Sequence, residues 1–426
     1  MGTIKAVCFT LLFLFSTSVM GDWVAPADRV QDSISMRTGP GTQFDFIGPL
    51  AVGDRVLLLG SVPYWYQVEL PNGNKAYVSK AWSQITTEAS PAVPVSSYKI
   101  DIIDVGTGLA VLVQGKDFSL LYDGGSNDDY ARGANNRLMA YLKAVYPALT
   151  AIDHVILSHP HRDHVELLPD VMATYSIGAA WDSGRTHDIC GYRAFIDGIV
   201  AGNIEYHTAK HNHGTHPVKF TKDTGNCYGE PRPAKEIDVI YGSQINEGQI
   251  SLGAGASMQF LYASGHKHSS PNENSLVLRL ALGNHKILLM GDAEAGSRGG
   301  WADGDPEHDS IEGMLLACCS SDLKADILVA GHHGSRTSSR TAFLDAVDAQ
   351  TYIISSGPKK YGRIILPDQV VVDEFLNRGT VLRTDRDDVA CAISTSKIGT
   401  DGDGKAGGCD NIRIILNDTI TSDYIN

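Results

Sequence analysis

The 426-residue chain contains no apolar run long enough to cross a bilayer as a stable helix. Its most hydrophobic stretch, Ala6 to Ser16, has about half of the ~20 residues that a span requires, so no transmembrane anchor is expected. Positive charge is also scarce. Against 49 Asp and Glu stand only 35 Lys and Arg, a formal net charge of −14. A chain so acidic repels polyanions at long range and lacks the basic stripe of a sequence-independent nucleic-acid binder. No stable nucleic-acid complex is expected. Cysteines number only seven, at spacings that match no zinc ribbon.

What is present begins with an export signature. Lys5 precedes the short apolar run, and Val19-Met20-Gly21 offers a place for cleavage, so residues 1–21 read as a signal peptide and the mature protein as secreted or periplasmic. Without Cys8 six cysteines remain, an even number compatible with disulfides in an oxidising compartment. Cys391 and Cys409 flank a Gly-rich turn, Cys190 and Cys227 bracket one insertion, and Cys318 and Cys319 are adjacent, where a mutual bridge rarely forms without strain. Spacing alone leaves the pairing open. The length suits two folded units, and 44 glycines suit a sheet-rich, turn-rich architecture.

Residues 22–85 read as a small all-β unit. Short β-prone runs (Val56–Leu59, Trp65–Leu70, Lys75–Val78) alternate with turn signals, Asn72-Gly73 being the strongest. Ser35-Met36-Arg37-Thr38-Gly39-Pro40-Gly41-Thr42 resembles the opening of bacterial SH3-like domains, and Trp65-Tyr66-Gln67-Val68, Asn72-Gly73 and Ala76-Tyr77-Val78 fall where that family carries its later elements. The resemblance implies an SH3-like barrel that binds cell-wall peptide or glycan, or that serves only for packing. Thr86 to Ser97 is rich in Pro, Ser and Thr without a period and reads as a linker over 86–97.

Residues 98–426 read as α/β. Apolar runs at Ile100–Val105, Ala110–Val113, Phe118–Tyr122, His154–Leu157, Met258–Tyr262, Leu276–Leu280, Lys286–Met290, Ile327–Ala330 and Tyr352–Ser355 predict strands, and Asn135–Val145 has helical spacing. Polar stretches near 184–250 and 297–310 read as surface insertions; the first carries a His-rich segment, His207 to His216, expected to be an exposed loop. Asp401-Gly402-Asp403-Gly404 lacks the spacing of a calcium loop and reads as a turn.

The chemistry concentrates in Ser158-His159-Pro160-His161-Arg162-Asp163-His164, directly after a buried strand. Three imidazoles and a carboxylate within six residues suit zinc or a similar divalent ion. This H-x-H-x-D-H pattern resembles the signature of the metallo-β-lactamase fold, an αββα sandwich, and further pieces follow in the family's order. Asp123-Gly124-Gly125 resembles its first motif, Gly265-His266 its third, Gly291-Asp292 its fourth and Gly331-His332-His333-Gly334-Ser335 its fifth. Asp104–Gly108, Asn272–Leu278, Met290–Glu294, His332–Ser335 and Arg383–Asp387 are similar to the DNA-uptake competence-protein branch, which also includes an extracellular phosphorylcholine esterase joined to a wall-binding module.

That resemblance implies two divalent ions, zinc or alternatively manganese. His159, His161 and His266 would hold one, with His268 as substitute for His266; Asp163, His164 and His333 would hold the other, and Asp292 would bridge them. Ions about 3.5–4 Å apart lower the pKa of a shared water toward ~7 and so furnish a bridging hydroxide nucleophile. Asp163 would also orient the nucleophile and His332 would act as proton donor or phosphate contact, while Asn274, Ser335 and Arg336 would contact substrate. The reading is an exported binuclear hydrolase, a phosphodiesterase of nuclease or wall-phosphodiester type. A β-lactamase or other amide or ester hydrolase, and a non-catalytic wall-binding protein with a degenerate domain, are the alternatives. Two departures bear on the choice: Glu166-Leu167 stands where relatives often have Gly-Gly, and Leu366-Pro367 where they often have His-Pro.

Overall fold

A computed structural model describes residues 23–70, 74–86, 97–223, 225–245, 248–253, 255–385 and 411–425. The expected signal peptide, Asn72-Gly73, most of the linker, the Asp401–Gly404 turn and the Cys391/Cys409 pair lie outside the described residues. The chain divides into two compact units between Pro94 and Val95.

The first unit is one antiparallel seven-stranded sheet built from Trp23–Pro26, Ser33–Arg37, Phe46–Ala51, Val56–Val62, Trp65–Glu69, Lys75–Ser79 and Ser83–Thr86. Period-2 alternation sends one set of side chains inward: in Lys75–Ser79 it is Ala76 and Val78 that are buried. They meet Val24, Ile34, Leu50, Val56 and Val68 in a small core.

The second unit stacks a ten-stranded and a seven-stranded sheet. Strands Ser119–Tyr122, Ala151–Ile156, Ser176–Asp182 and Glu205–Thr208 run parallel in the first sheet; His285–Leu289, Ile327–Val329, Thr351–Ile354 and Thr380–Arg383 run parallel in the second. One core lies between the sheets, where Ile100, Leu120, Tyr122 and Ile156 face Phe260, Leu278, Ile287 and Val329. The outer faces carry helices. Arg137–Val145 and Cys190–Gly202 cover the first sheet, and Ile311–Cys319, Thr341–Val347 and Gln369–Arg378 cover the second. The architecture is therefore the αββα sandwich expected. Parallel strands send their C-terminal ends to one edge, and the loops after Tyr122, Ile156, Leu289 and Val329 all leave from there.

Two readings need correction. Residues 184–250 are not a surface insertion: the helix Cys190–Gly202 buries Tyr192, Phe195, Ile196 and Ile199, and Glu205–Thr208, Gly214–Phe220 and Lys235–Tyr241 extend the large sheet. Their polar residues face solvent on alternating positions, which hides a strand among turn-like letters. Within the same stretch, His207 is buried and stacked on Trp181, ring centroids 4.0 Å apart, whereas His213 is exposed. Residues 298–303 form a 3-10 helix with no buried residue, as an insertion would. Disulfides join Cys190 to Cys227 and Cys318 to its neighbour Cys319; the second is the adjacent pairing expected to be rare. Among the described residues no helix is long and apolar enough to cross a membrane.

Candidate metal centre

The His-rich loop leaves the strand Ala151–Ile156 and turns at once into the one-turn helix Arg162–Val165. The loop is packed without slack. A Cβ on Gly125 would lie 2.4 Å from the His164 backbone nitrogen, and one on Gly108 would lie 2.1 Å from the Gly125 carbonyl. Only glycine allows this approach, which places Asp104–Gly108 and Asp123–Gly125 as supports of the loop.

Asp123 is fully buried and takes four roles at once. Its carboxylate accepts from the Ser158 N–H, from Ser158 Oγ and from His164 Nδ1, each at 2.7 Å, and its own N–H donates to Ile156 O. The His164 proton is thereby fixed on Nδ1, leaving Nε2 to face inward. His333 follows the same rule: Nδ1 donates to Ser355 O at 2.8 Å. Ser158 Oγ, already donating to Asp123, accepts from His159 Nδ1 at 3.1 Å.

The freed atoms converge. His164 Nε2 lies 3.1 Å and His333 Nε2 3.5 Å from Asp292 Oδ1, yet none of these three buried atoms has a hydrogen-bond partner. Each such atom costs about 1–3 kcal/mol if left unpaired. Two sets lie close enough to grip an ion: His159, His164 and Asp292, and Asp163, His164 and His333. Two nitrogen-and-carboxylate sets sharing a member, with orphaned atoms aimed at a common point, fit a pair of divalent ions. His161 joins through His159, its Nδ1 lying 2.9 Å from His159 Nε2.

At His159 and His161 the electrostatics agree with ligation. Burial, reinforced by His164, pushes the His159 pKa well below the usual histidine value, and burial lowers that of His161, so both stay neutral as metal ligands must. Burial would raise the Asp292 pKa, but His164 and His333 outweigh it and hold the carboxyl well below its usual range. Burial would likewise lower His164 and His332; Asp292 with Asp123 raises the first, and Asp292 with Glu294 the second.

Three sequence-based assignments change. His266 is exposed and joins neither close set, while His268 is engaged with Ser264 Oγ at 2.8 Å. Asn274 is buried and spent internally: Nδ2 donates to Ser264 O and His266 O, and Oδ1 accepts from Arg185. Arg336 does not line the cavity over the centre; its backbone N–H donates to Asp368. Ser335 does line it, as does His332, whose Nδ1 contacts Glu294 Oε1 and Thr337 Oγ1 at 2.9 Å each.

The cavity measures about 560 Å³ and includes residues that sequence reasoning missed. Tyr361 OH and Asn127 Nδ2 donate to Asp163 Oδ2 at 2.9 and 2.7 Å. Arg162, Arg298 and Lys359 bring three cations to its wall, and Ile189, Ile364 and Leu366 an apolar side. Arg298 is braced by Ser335 Oγ and Asp368. Asn127, four residues after Asp123, was within reach of sequence reading; Arg298, at the start of the 3-10 helix 298–303, and Tyr361, in the short strand Lys360–Tyr361, belong to no motif.

Comparison with known proteins places these features. Residues 103–357 match the metallo-beta-lactamase superfamily and residues 32–84 the bacterial SH3 domain. Competence protein ComA of Neisseria gonorrhoeae is 27% identical over 267 residues, covering 62% of this chain and 28% of that protein. ComE operon protein 3 of Bacillus subtilis is 24% identical over 323 residues, covering 72% and 34%. The chain thus spans about a third or less of the length of these relatives. Among solved structures, the metallo-beta-lactamase fold protein YhfI of Bacillus subtilis is 15% identical with a TM-score of 0.35, covering 68% of this chain and 97% of that one. The diiron beta-hydroxylase CmlA of Streptomyces venezuelae is 12% identical with a TM-score of 0.36, covering 72% and 54%.

Proposed function

The chain belongs to the metallo-beta-lactamase superfamily, and from that premise we propose that it is an exported binuclear hydrolase of phosphodiesters, held near the cell wall by its SH3-like unit. The observation that carries the reading is the pairing of two ligand sets with a cation-lined cavity on a chain of net charge −14. Two divalent ions, zinc or manganese, would be held by His159, His161, Asp163, His164, Asp292 and His333. When bound, they supply Lewis acidity and activate water near neutral pH.

The chain's own residues do the rest. Arg298, Lys359 and Arg162 fit the non-bridging oxygens of an anionic diester. Asn127 and Tyr361 hold Asp163 in place. His332 Nε2 sits 4.0 Å from Asp292 Oδ2 at the cavity wall, suited to deliver a proton to the departing alkoxide. The apolar side, with Leu366 where relatives often have histidine, suits a leaving group with a hydrophobic portion. The orphaned buried atoms support metal loading and so favour the hydrolase reading over a degenerate, non-catalytic domain.

The test is hydrolysis of bis-p-nitrophenyl phosphate by the purified chain loaded with zinc or with manganese, beside His161→Ala. Turnover abolished by the substitution is expected. Inactivity on all phosphodiesters with both metals, or turnover of nitrocefin instead, would overturn the reading.

A further inference from the structure

The centre as described leaves one ion short of imidazole. His159 stands with Asp292, and His161 is added only through its contact with His159; His161, His187 and His266, the family-motif candidate for a third histidine, all lie outside both close sets, but of the three only His266 is exposed. A catalytic zinc ordinarily has three protein ligands of its own.

His187 occupies the same cavity wall as His161 and Asp292. It lies in the loop between the strand Ser176–Asp182 and the helix Cys190–Gly202. Its ring centroid is 5.6 Å from that of His161, the planes inclined at 62°; the His159 and His161 rings are 4.7 Å apart. Two imidazoles bound to one ion stand at about such separations, since each metal–nitrogen bond is ~2.0–2.1 Å.

Tautomer chemistry points the same way. His187 Nδ1 is 2.9 Å from the carbonyl of Pro160, the residue between His159 and His161. A carbonyl can only accept, so Nδ1 is the donor here, and in the neutral ring that leaves the lone pair on Nε2. His164 and His333 show the same arrangement, Nδ1 donated to an oxygen and Nε2 free, which is how proteins prepare imidazole ligands.

The loop is also fixed on both flanks. Arg185 Nη1 donates to Asn274 Oδ1 at 3.0 Å. Asp188 accepts from Thr221 N and Oγ1 at 2.9 Å each, and Cys190 is bonded to Cys227. The fully buried Asn274 thus gains a purpose: it ties the loop after Ser264 to the loop that presents His187.

We propose that His187 is a ligand of the ion bound by His159 and His161, taking the place that His266 does not fill. The assignment rests on the binuclear reading above. Arg185, Asn274 and the Cys190–Cys227 bridge are positioning groups for it.

The test uses the metals alone. The full chain, stripped by chelator, is titrated with Co²⁺, and its zinc content is measured after reconstitution, beside His187→Ala and His266→Ala. Wild type should hold two ions per chain and His266→Ala should match it. His187→Ala should retain one tight ion, with the second weakened about tenfold or more and the visible Co²⁺ bands shifted. If His187→Ala unfolds by circular dichroism, His187→Gln, which keeps a donor for the Pro160 carbonyl, carries the same comparison. Wild type with two ions and His187 variants with unchanged affinity and spectrum would overturn this assignment alone, as would loss of an ion in His266→Ala. A wild type that takes up no ion would overturn the binuclear reading and the assignment with it.

Discussion

Asp123 Oδ2 accepts the Nδ1 proton of His164 at 2.7 Å while both side chains are completely shielded from solvent. The pair sets the tautomer that points His164 Nε2 at Asp292. Removing the carboxylate frees that proton to move to the ligating nitrogen. Asp123→Asn is therefore expected to weaken metal affinity by ~10–100-fold with the protein still folded. Metal titration checks this beside a circular-dichroism spectrum; affinity equal to wild type would show that Asp123 only supports the turn.

The cavity's cations separate binding from packing. Arg298 lines the cavity and Arg336 does not. Arg298→Ala should raise KM for a phosphodiester with a smaller effect on kcat, by about 1.5–3 kcal/mol, the worth of a hydrogen bond to a charged group. Arg336→Ala should leave KM unchanged. Equal effects from the two would remove Arg298 from the substrate site.

Gly125→Ala tests the packing of the loop. The added methyl would meet the His164 backbone nitrogen at 2.4 Å, where backbone rather than a flexible side chain must yield. Overpacking of this kind costs about 1–3 kcal/mol. Lower Tm together with reduced metal content is expected; a wild-type Tm would mean that the loop has slack.

The two disulfides should differ sharply in worth. Cys190–Cys227 closes 37 residues, which in the loop-entropy account gives about 3–4 kcal/mol. Cys318–Cys319 closes none. Cys190→Ser with Cys227→Ser should lower denaturation midpoints markedly, and Cys318→Ser with Cys319→Ser hardly at all. Urea unfolding of both double variants decides it.

Glu312 supplies a pH signature away from the metals. Burial raises its pKa from 4.5 to about 8, against the opposing pull of the Ser339 and Arg340 N–H groups. A carboxyl with a raised folded-state pKa favours the folded chain while protonated. Its contribution is complete below pH 4.5 and is lost as pH climbs through about 8. Glu312→Gln should flatten the decline of stability between those limits, whatever its effect on absolute stability. An unchanged slope in Tm against pH would exclude the assignment.

How far the site was legible follows from where its residues lie. His159, His161, Asp163 and His164 fall within six residues just after a buried strand, so spacing alone revealed them. Asp292 and His333 each follow an apolar run and came from motif order. Arg298, Lys359, Tyr361 and His187 could not be read this way. They reach the cavity from segments connecting the main strands, whose ends are fixed by the sheets, and local letters carry no record of that closure. Asn274 and Arg336 were misplaced for the complementary reason: a polar letter near a motif can serve the backbone as readily as a ligand. The 184–250 stretch misled because strands at a sheet's edge alternate polar and apolar residues weakly, and turn-forming letters dominate the count.

His332 and His333 both adopt left-handed backbone angles, φ 49° and 54°. For residues with a Cβ this costs about 1–2 kcal/mol each. Glycine at either position would relieve that cost and remove the imidazole. The turn is therefore a place where selection for durability and selection for activity pull in opposite directions. A lineage freed from the need for its hydrolase would be expected to drift toward glycine here, becoming sturdier as it falls silent.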